Sequence, residues 1–171
     1  MKIYIVGIVA SGKTTLARRW SGELDIPFYE LDCIIYGKKD GVRYKRTPEE
    51  QQKIIEKIDQ QGDWIIEGTY RKSCHELLDL ADKIIFLDPP LWKRRVRILS
   101  RYVKQVCGLE KCHYTPTLSM LRSMYNWSDD FEKNREKFET MLFRYGHKLI
   151  LLRRYKGVYI KGNEVLEFID G

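Results

Sequence analysis

An α/β domain built on a parallel sheet is the fold this sequence predicts, and three observations predict it. Short apolar runs alternate with helix-forming segments along the chain. The first run leads directly into Gly7-Ile8-Val9-Ala10-Ser11-Gly12-Lys13-Thr14, an octet of the form G-x-x-x-x-G-K-[ST]. The strand-like runs end on Gly7, Asp32, Glu67 and Asp88, and ligands of parallel sheets bind beyond the carboxyl ends of the strands. Together these predict right-handed strand–helix crossovers in a three-layer, phosphate-binding-loop domain.

Taken in order, Lys2-Ile3-Tyr4-Ile5-Val6 is β-branched, aromatic and apolar, the composition of a buried strand. In the octet, phosphate must lie against backbone, so Gly7 and Gly12 are read as positions that take up positive φ cheaply. Successive N–H groups then form an anion nest, and the next helix adds its positive end. Lys13 would bring a full charge to the β- and γ-phosphates of ATP. The Thr14 hydroxyl is placed to ligate Mg²⁺. Ala10, Ser11 and Thr15 complete the expected nucleotide contacts. Thr15 to Trp20 reads as helix, with Leu16 and Trp20 on one face, and Gly22 to Pro27 as a turn.

Phe28-Tyr29-Glu30-Leu31 reads as a second strand ending in Asp32, and the basic, glycine-containing stretch Tyr36 to Arg46 as a loop. Thr47-Pro48-Glu49-Glu50 carries the marks of a capping box with proline at the first helical position, starting a helix to about Gln60. Trp64-Ile65-Ile66 is a third strand, closed by Glu67-Gly68, and a short helix ends near Leu80. Ile84 to Leu87 is a fourth strand. Asp88 before Pro89-Pro90 reads as the N-cap of a basic helix from Leu91 to about Val106. Cys107 to Thr117 reads as irregular, Asp129 to Tyr145 as helix, and Lys148 to Leu152 as a fifth strand. The tail reads as a turn over Tyr159 to Gly162 and a last helix from Asn163 to Ile169.

The length of 171 residues suits one domain over 1–171, and a formal net charge of +7 suits an anionic ligand, nucleotide or nucleic acid. No apolar run is long enough to span a membrane, and the apolar N-terminus is broken by the glycine-rich loop, so the expectation is a cytoplasmic protein. Cys33, Cys74, Cys107 and Cys112 would then be reduced thiols. Cys107, Cys112 and His113 make one loose pair rather than the knuckles of a structural zinc site, and no zinc is expected.

Several segments in this order resemble a known family: the glycine-rich loop, Glu30-Leu31-Asp32, Trp64 to Gly68, Ile85-Phe86-Leu87-Asp88-Pro89-Pro90 and the basic helix. They resemble the topology modulation (FlaR-like) P-loop proteins, which are similar in turn to adenylate kinase and other nucleoside monophosphate kinases. The resemblance implies a five-stranded parallel sheet of order 2-3-1-4-5 with a helical, lid-like insertion at roughly 102–135. Glu67-Gly68-Thr69-Tyr70-Arg71 has the spacing of the Asp-Gly-Phe-Pro-Arg of adenylate kinases. That likeness implies an acid near Mg²⁺ at Glu67 and an acceptor-phosphate arginine at Arg71. Arg97 and Arg101 match the arginine pair that begins the lid, and they share one helical face. Arg135, or Arg122, would be the later lid arginine facing them. The pattern that recognises AMP is absent, and Asp32-Cys33-Ile34-Ile35-Tyr36 stands in its place.

Phosphoryl transfer asks a protein for positioning and for cations on the transferring group, which Lys13, Arg97, Arg101 and Mg²⁺ would supply. Asp32 is a candidate to orient an acceptor hydroxyl or take its proton, with a helix N-cap or turn-forming role as the alternative. Lys93, Arg94 and Lys104 are read as a solvated face. Tyr36, Tyr44, Arg43, Lys45 and Arg46 are read as an exposed loop rather than an acceptor grip. The functional expectation is an ATP- and Mg²⁺-dependent small-molecule or nucleotide kinase of unnamed acceptor. The alternative is a DNA-associated topology regulator that binds or hydrolyses ATP. No recognised DNA-binding module supports that alternative.

Overall fold

The computed structural model describes residues 1–109, 117–154, 156–161 and 164–167. Five parallel strands form the central sheet: β1 (Lys2–Val6), β2 (Phe28–Glu30), β5 (Trp64–Gly68), β6 (Lys83–Leu87) and β7 (Leu149–Leu152), in the order β2-β5-β1-β6-β7. Two further strands, β3 (Tyr36–Lys39) and β4 (Val42–Lys45), fall between the second and third strands of this sheet in chain order, so the labels run ahead of those counted from sequence. Register places Val6 beside Gly68 on one side and Phe86 on the other, which lines up the carboxyl ends of the three central strands.

Because successive side chains in a strand face opposite ways, β1 feeds two cores. Tyr4 and Val6 pack with Trp64, Ile66, Ile84 and Phe86 on one face, under α2 (Leu31–Ile35) and α3 (Pro48–Gln60). Ile3 and Ile5 pack with Ile65, Ile85 and Leu87 on the other, under Leu16, Ala17 and Trp20 of α1 (Lys13–Leu24). β1, β5 and β6 are buried on both faces, which is why they read as unbroken apolar runs. The capping box opens α3 as expected: the Glu50 amide donates to Thr47 Oγ1 at 3.2 Å, and the Thr47 amide to Glu50 Oε2 at 2.8 Å.

Several elements differ from the sequence reading. Tyr36 to Arg46 is not a loop: β3 and β4 pair as a hairpin whose turn residues Asp40 and Gly41 have φ of 53° and 79°. Positive φ at both turn residues matches the twist of the strands, and Asp-Gly is the sequence that permits it. Gly22 lies inside α1, which continues to Leu24 and ends on a left-handed Asp25. Asp32 does not end a strand: β2 stops at Glu30 and Asp32 sits in the first turn of α2. The long helix α6 runs Leu118–Phe143, starting well before Asp129, because the Thr117 side chain caps it, accepting from the Met120 amide at 3.1 Å. Where a last helix was expected, Glu164–Glu167 forms β9, antiparallel to β8 (Val158–Lys161). Val158, Ile160 and Val165 of this hairpin pack on the α1-side core, so a period of two outweighs the helical pattern. Residues 163 and 168–169 of that expected helix, and Cys112 and His113, lie outside the described residues, as does the stretch 110–116 of the lid-like insertion.

Candidate functional site: an anion cradle at the carboxyl edge of the sheet

The loop from Gly7 to Thr14 leaves β1 and enters α1. Gly12 caps the helix with φ of 103°, and Ala10 takes a left-handed φ of 58°. Gly7, contrary to expectation, does not take positive φ. It is needed for space: a Cβ there would stand 2.5 Å from the Leu87 carbonyl oxygen and 3.0 Å from Ser11 Oγ. The end of β6 therefore presses against the loop, while the Gly7 amide donates to the Gly68 carbonyl at 3.4 Å and the Ser11 amide to the Ile8 carbonyl at 3.3 Å.

Lys13 is buried, and its ammonium donates to the Ile8 carbonyl at 2.9 Å and to Ser11 Oγ at 3.4 Å. Both acceptors are neutral. Burial pushes the Lys13 pKa down, the negative charges of Glu67 and Asp32 push it up, and Arg101 pushes it down again. Thr14 Oγ1 donates to Glu67 Oε1 at 2.6 Å, so the end of β5 and the start of α1 meet at one carboxylate. Burial raises the Glu67 pKa against the opposing pull of Lys13 and the Thr14 hydrogen bond. Gly68 next to it is a close approach: a Cβ would lie 2.4 Å from Leu31 Cβ. That contact seats α2 on β5 and leaves Asp32 exposed, within electrostatic reach of both Lys13 and Glu67.

The basic helix α5 (Leu91–Val106) supplies the other wall. Arg97 Nη1 donates to the Ser11 carbonyl at 2.9 Å and to the Ala10 carbonyl at 3.4 Å, which brings its guanidinium onto the Gly7–Thr14 loop. Arg101 lies close enough for its charge to act on Lys13. Thr15 is exposed on α1. Arg71 is exposed and precedes the 3₁₀ turn Lys72–Cys74 and the short helix α4 (Leu77–Leu80), with its charge felt at Tyr4 and Cys74.

Three expectations receive a different placement. Arg135 donates to Asp88 at 2.7 and 3.1 Å, to Glu132 at 2.9 Å and to Glu139 at 3.0 Å, and those carboxylates hold its pKa above the ordinary arginine value. A guanidinium held by three acids clamps α6 to the end of β6. Asp88 is not an N-cap, since Pro90 occupies that place and no side chain caps α5; Asp88 is the β6 end of that clamp. Arg94 is not solvated. It is fully buried, paired with Glu132 of α6, with its guanidinium 5.6 Å from the Phe131 ring centroid. Cys33, Cys74 and Cys107 are free thiols, and no cluster of metal-ligating side chains occurs among the described residues. No described helix is long and apolar enough to cross a membrane.

Two solved structures share this fold. A shikimate kinase from Bacteroides thetaiotaomicron superposes with a TM-score of 0.51 at 14% identity, covering 91% of this chain and 88% of that one. An uncharacterized protein from Eubacterium ventriosum superposes with a TM-score of 0.52 at 16% identity, over 88% of this chain and 87% of that one. No protein-family model and no curated protein matches the sequence.

Proposed function

We propose that this chain is an ATP-dependent phosphotransferase acting on a small-molecule acceptor. One observation carries it: the Lys13 ammonium is buried at the mouth of the cradle with only neutral hydrogen-bond partners. A desolvated cation is costly unless an anion completes it, and a polyphosphate is the anion that a glycine-rich loop at a helix N-terminus accepts. ATP would be held by the backbone of Gly7 to Thr14, with Ser11 and Thr15 beside it. Mg²⁺ would be held by Thr14, with Glu67 adjacent, and when bound it would neutralise charge on the phosphates.

The chain's own residues divide the remaining work. Lys13 and Arg97 place positive charge on the loop where a γ-phosphate would lie, and Arg101 adds to that field. Asp32, exposed at the start of α2, is the proposed acceptor of a proton from the attacking hydroxyl. Arg71 is the proposed contact to an anionic part of the acceptor. No acceptor contact is proposed for Arg135. The unit would comprise residues 1–171, act in the cytoplasm, and close through the lid-like segment at roughly 102–135, which contains parts of α5 and α6. The likeness to FlaR-like topology modulation proteins fits within this proposal as a relationship. No observation favours direct DNA binding over phosphoryl transfer.

The test is an acceptor screen coupled to ADP release, run with wild type, Arg97→Ala and Lys93→Ala. Acceptor-dependent release that collapses for Arg97→Ala and survives Lys93→Ala supports a kinase. ADP release indifferent to every acceptor would mark a hydrolase instead. Loss of DNA affinity equal at both positions, with salt slopes reduced by about one each, would replace the kinase by a backbone binder.

A further inference from the structure

α5 is turned inside out. Its buried positions include Arg94, Ile98 and Gln105, while Trp92, Val96, Leu99, Val103 and Val106 stand 49–62% exposed. These five recur at alternating steps of four and three, the d-a-d-a-d positions of a heptad, with valine at both a positions and leucine at the central d. At the α-helical pitch they occupy a strip about 80° wide along the outer side of the helix. That is the width of a helix-pairing seam and narrower than the apolar face of a helix lying in a lipid surface.

We propose that this strip is the interface of a homodimer in which the α5 helices of two copies pair antiparallel about Leu99. The spacing is nearly palindromic: Trp92 of one copy meets Val106 of the other, Val96 meets Val103, and Leu99 meets itself. The single large side chain thus faces a small one. Charge chooses the direction. In the first turn of α5, Arg94 is buried against Glu132 and Arg95 pairs with Asp129, so Lys93 is the cation that bears on the strip. Parallel pairing would set the two Lys93 turns side by side. Antiparallel pairing lays Lys93 beside the carbonyl end of the opposite helix, where cations are favoured. The flanking positions then bring Lys93 near Cys107 and Arg95 near Tyr102, with no like-charge pair across the seam. The exposed strip is roughly 500 Å² per copy, the size of a functional patch on a monomer. Two of them bury about 1,000 Å², the lower bound of a specific interface.

Sedimentation velocity from 1 to 100 µM, flanking values chosen to bracket a micromolar dissociation constant, reads the association (about 8 kcal/mol). Wild type is expected to dimerise across that range. Val96→Glu/Val103→Glu is expected to remain monomeric with an unchanged circular dichroism spectrum, and Lys104→Glu, off the strip, to dimerise as wild type. For direction, Trp92→Cys and Val106→Cys chains, with Cys33, Cys107 and Cys112 replaced by serine, are expected to cross-link when mixed and not singly. A wild type monomeric at 100 µM overturns the proposal. So does a dimer indifferent to Val96→Glu/Val103→Glu, or Trp92→Cys cross-linking to itself. Flotation of a monomeric wild type with vesicles of phosphatidylglycerol and phosphatidylcholine, lost in the double variant, would assign the strip to a membrane surface instead.

Discussion

The two walls of the cradle are held by different physics. On the sheet side, Gly7 to Thr14 is fixed by backbone and burial: Leu87 presses on Gly7, Gly12 and Ala10 set the turn, and Thr14 is tied to Glu67. On the helix side, α5 and α6 are joined by charge. Arg94 meets Glu132, Arg95 meets Asp129 at 2.8 Å, and Arg135 gathers Asp88, Glu132 and Glu139. The first wall is set by contacts between backbone groups and buried side chains. The second brings Arg97 onto the loop, while Arg94 and Arg95 hold α5 to α6. Sequence spacing encodes the first wall directly. For the second it supplies candidates, and only packing divides them into working and structural cations.

The sharpest test of that division is the largest expected effect. Arg97→Ala should lower kcat by about 10³-fold with a smaller loss in ATP affinity, because charge on a transferring phosphoryl group matters most in the transition state. Steady-state kinetics with a competent acceptor checks it. A loss confined to KM would make Arg97 a ground-state binder.

Glu67 probes the sheet wall. Glu67→Gln should weaken Mg²⁺ dependence by about 10–100-fold, read as the Mg²⁺ concentration at half-maximal rate. Burial raises the Glu67 pKa above its unfolded value, so its protonated form persists to higher pH than an exposed carboxylate. Wild-type Mg²⁺ dependence should therefore weaken as pH falls through that raised value, and Glu67→Gln should lack this trend. The stability sign is opposite. A raised carboxyl pKa contributes stability below the unfolded pKa and loses it as pH rises through the folded one, so Glu67→Gln should be at least as stable as wild type at neutral pH.

Arg94 probes the helix wall. Arg94→Met removes a buried cation and leaves Glu132 with Arg135 as its remaining partner. Discounted for the partial exposure of Glu132, the expected loss is about 2 kcal/mol, or roughly 4–8 °C in Tm, with turnover per folded molecule retained. A loss of turnover without a loss of Tm would move Arg94 into the cradle. The smallest effect belongs to the loop itself. Ala10→Gly relieves a left-handed alanine at φ 58° and should stabilise by about 0.5–1 kcal/mol in denaturant melts, less whatever the freer unfolded chain gives back.

Where sequence was legible, one residue type at one spacing meets a local demand. The octet is legible because the turn from β1 into α1 is settled within eight residues, and the Thr47–Glu50 box because capping is settled within four. The β3–β4 hairpin was carried by Asp40-Gly41, but the basic side chains around it pointed to a loop. Val158 and Ile160 alternate with period two, yet Glu164 to Glu167 reads equally as helix until the opposite strand is in place. Arg94 and Trp92 are the hardest case. Helical periodicity defines two faces on α5 and cannot say which one packs, and the usual preference for burying the apolar face gives the opposite answer here. Arg135, or Arg122, followed from the family resemblance, while the acids that hold Arg135 come from α6 and from the end of β6, far apart in sequence.

The central claim is that the buried Lys13 ammonium awaits a polyphosphate. Calorimetric titration of ATP with Mg²⁺ into wild type and Lys13→Met tests it most directly, with Tm measured on both ligand-free proteins. Lys13→Met should lose ATP affinity while its ligand-free Tm rises by roughly 2–4 °C, since about 1 kcal/mol of buried-charge cost disappears. Equal ATP affinity in the two proteins would contradict the assignment of the cradle.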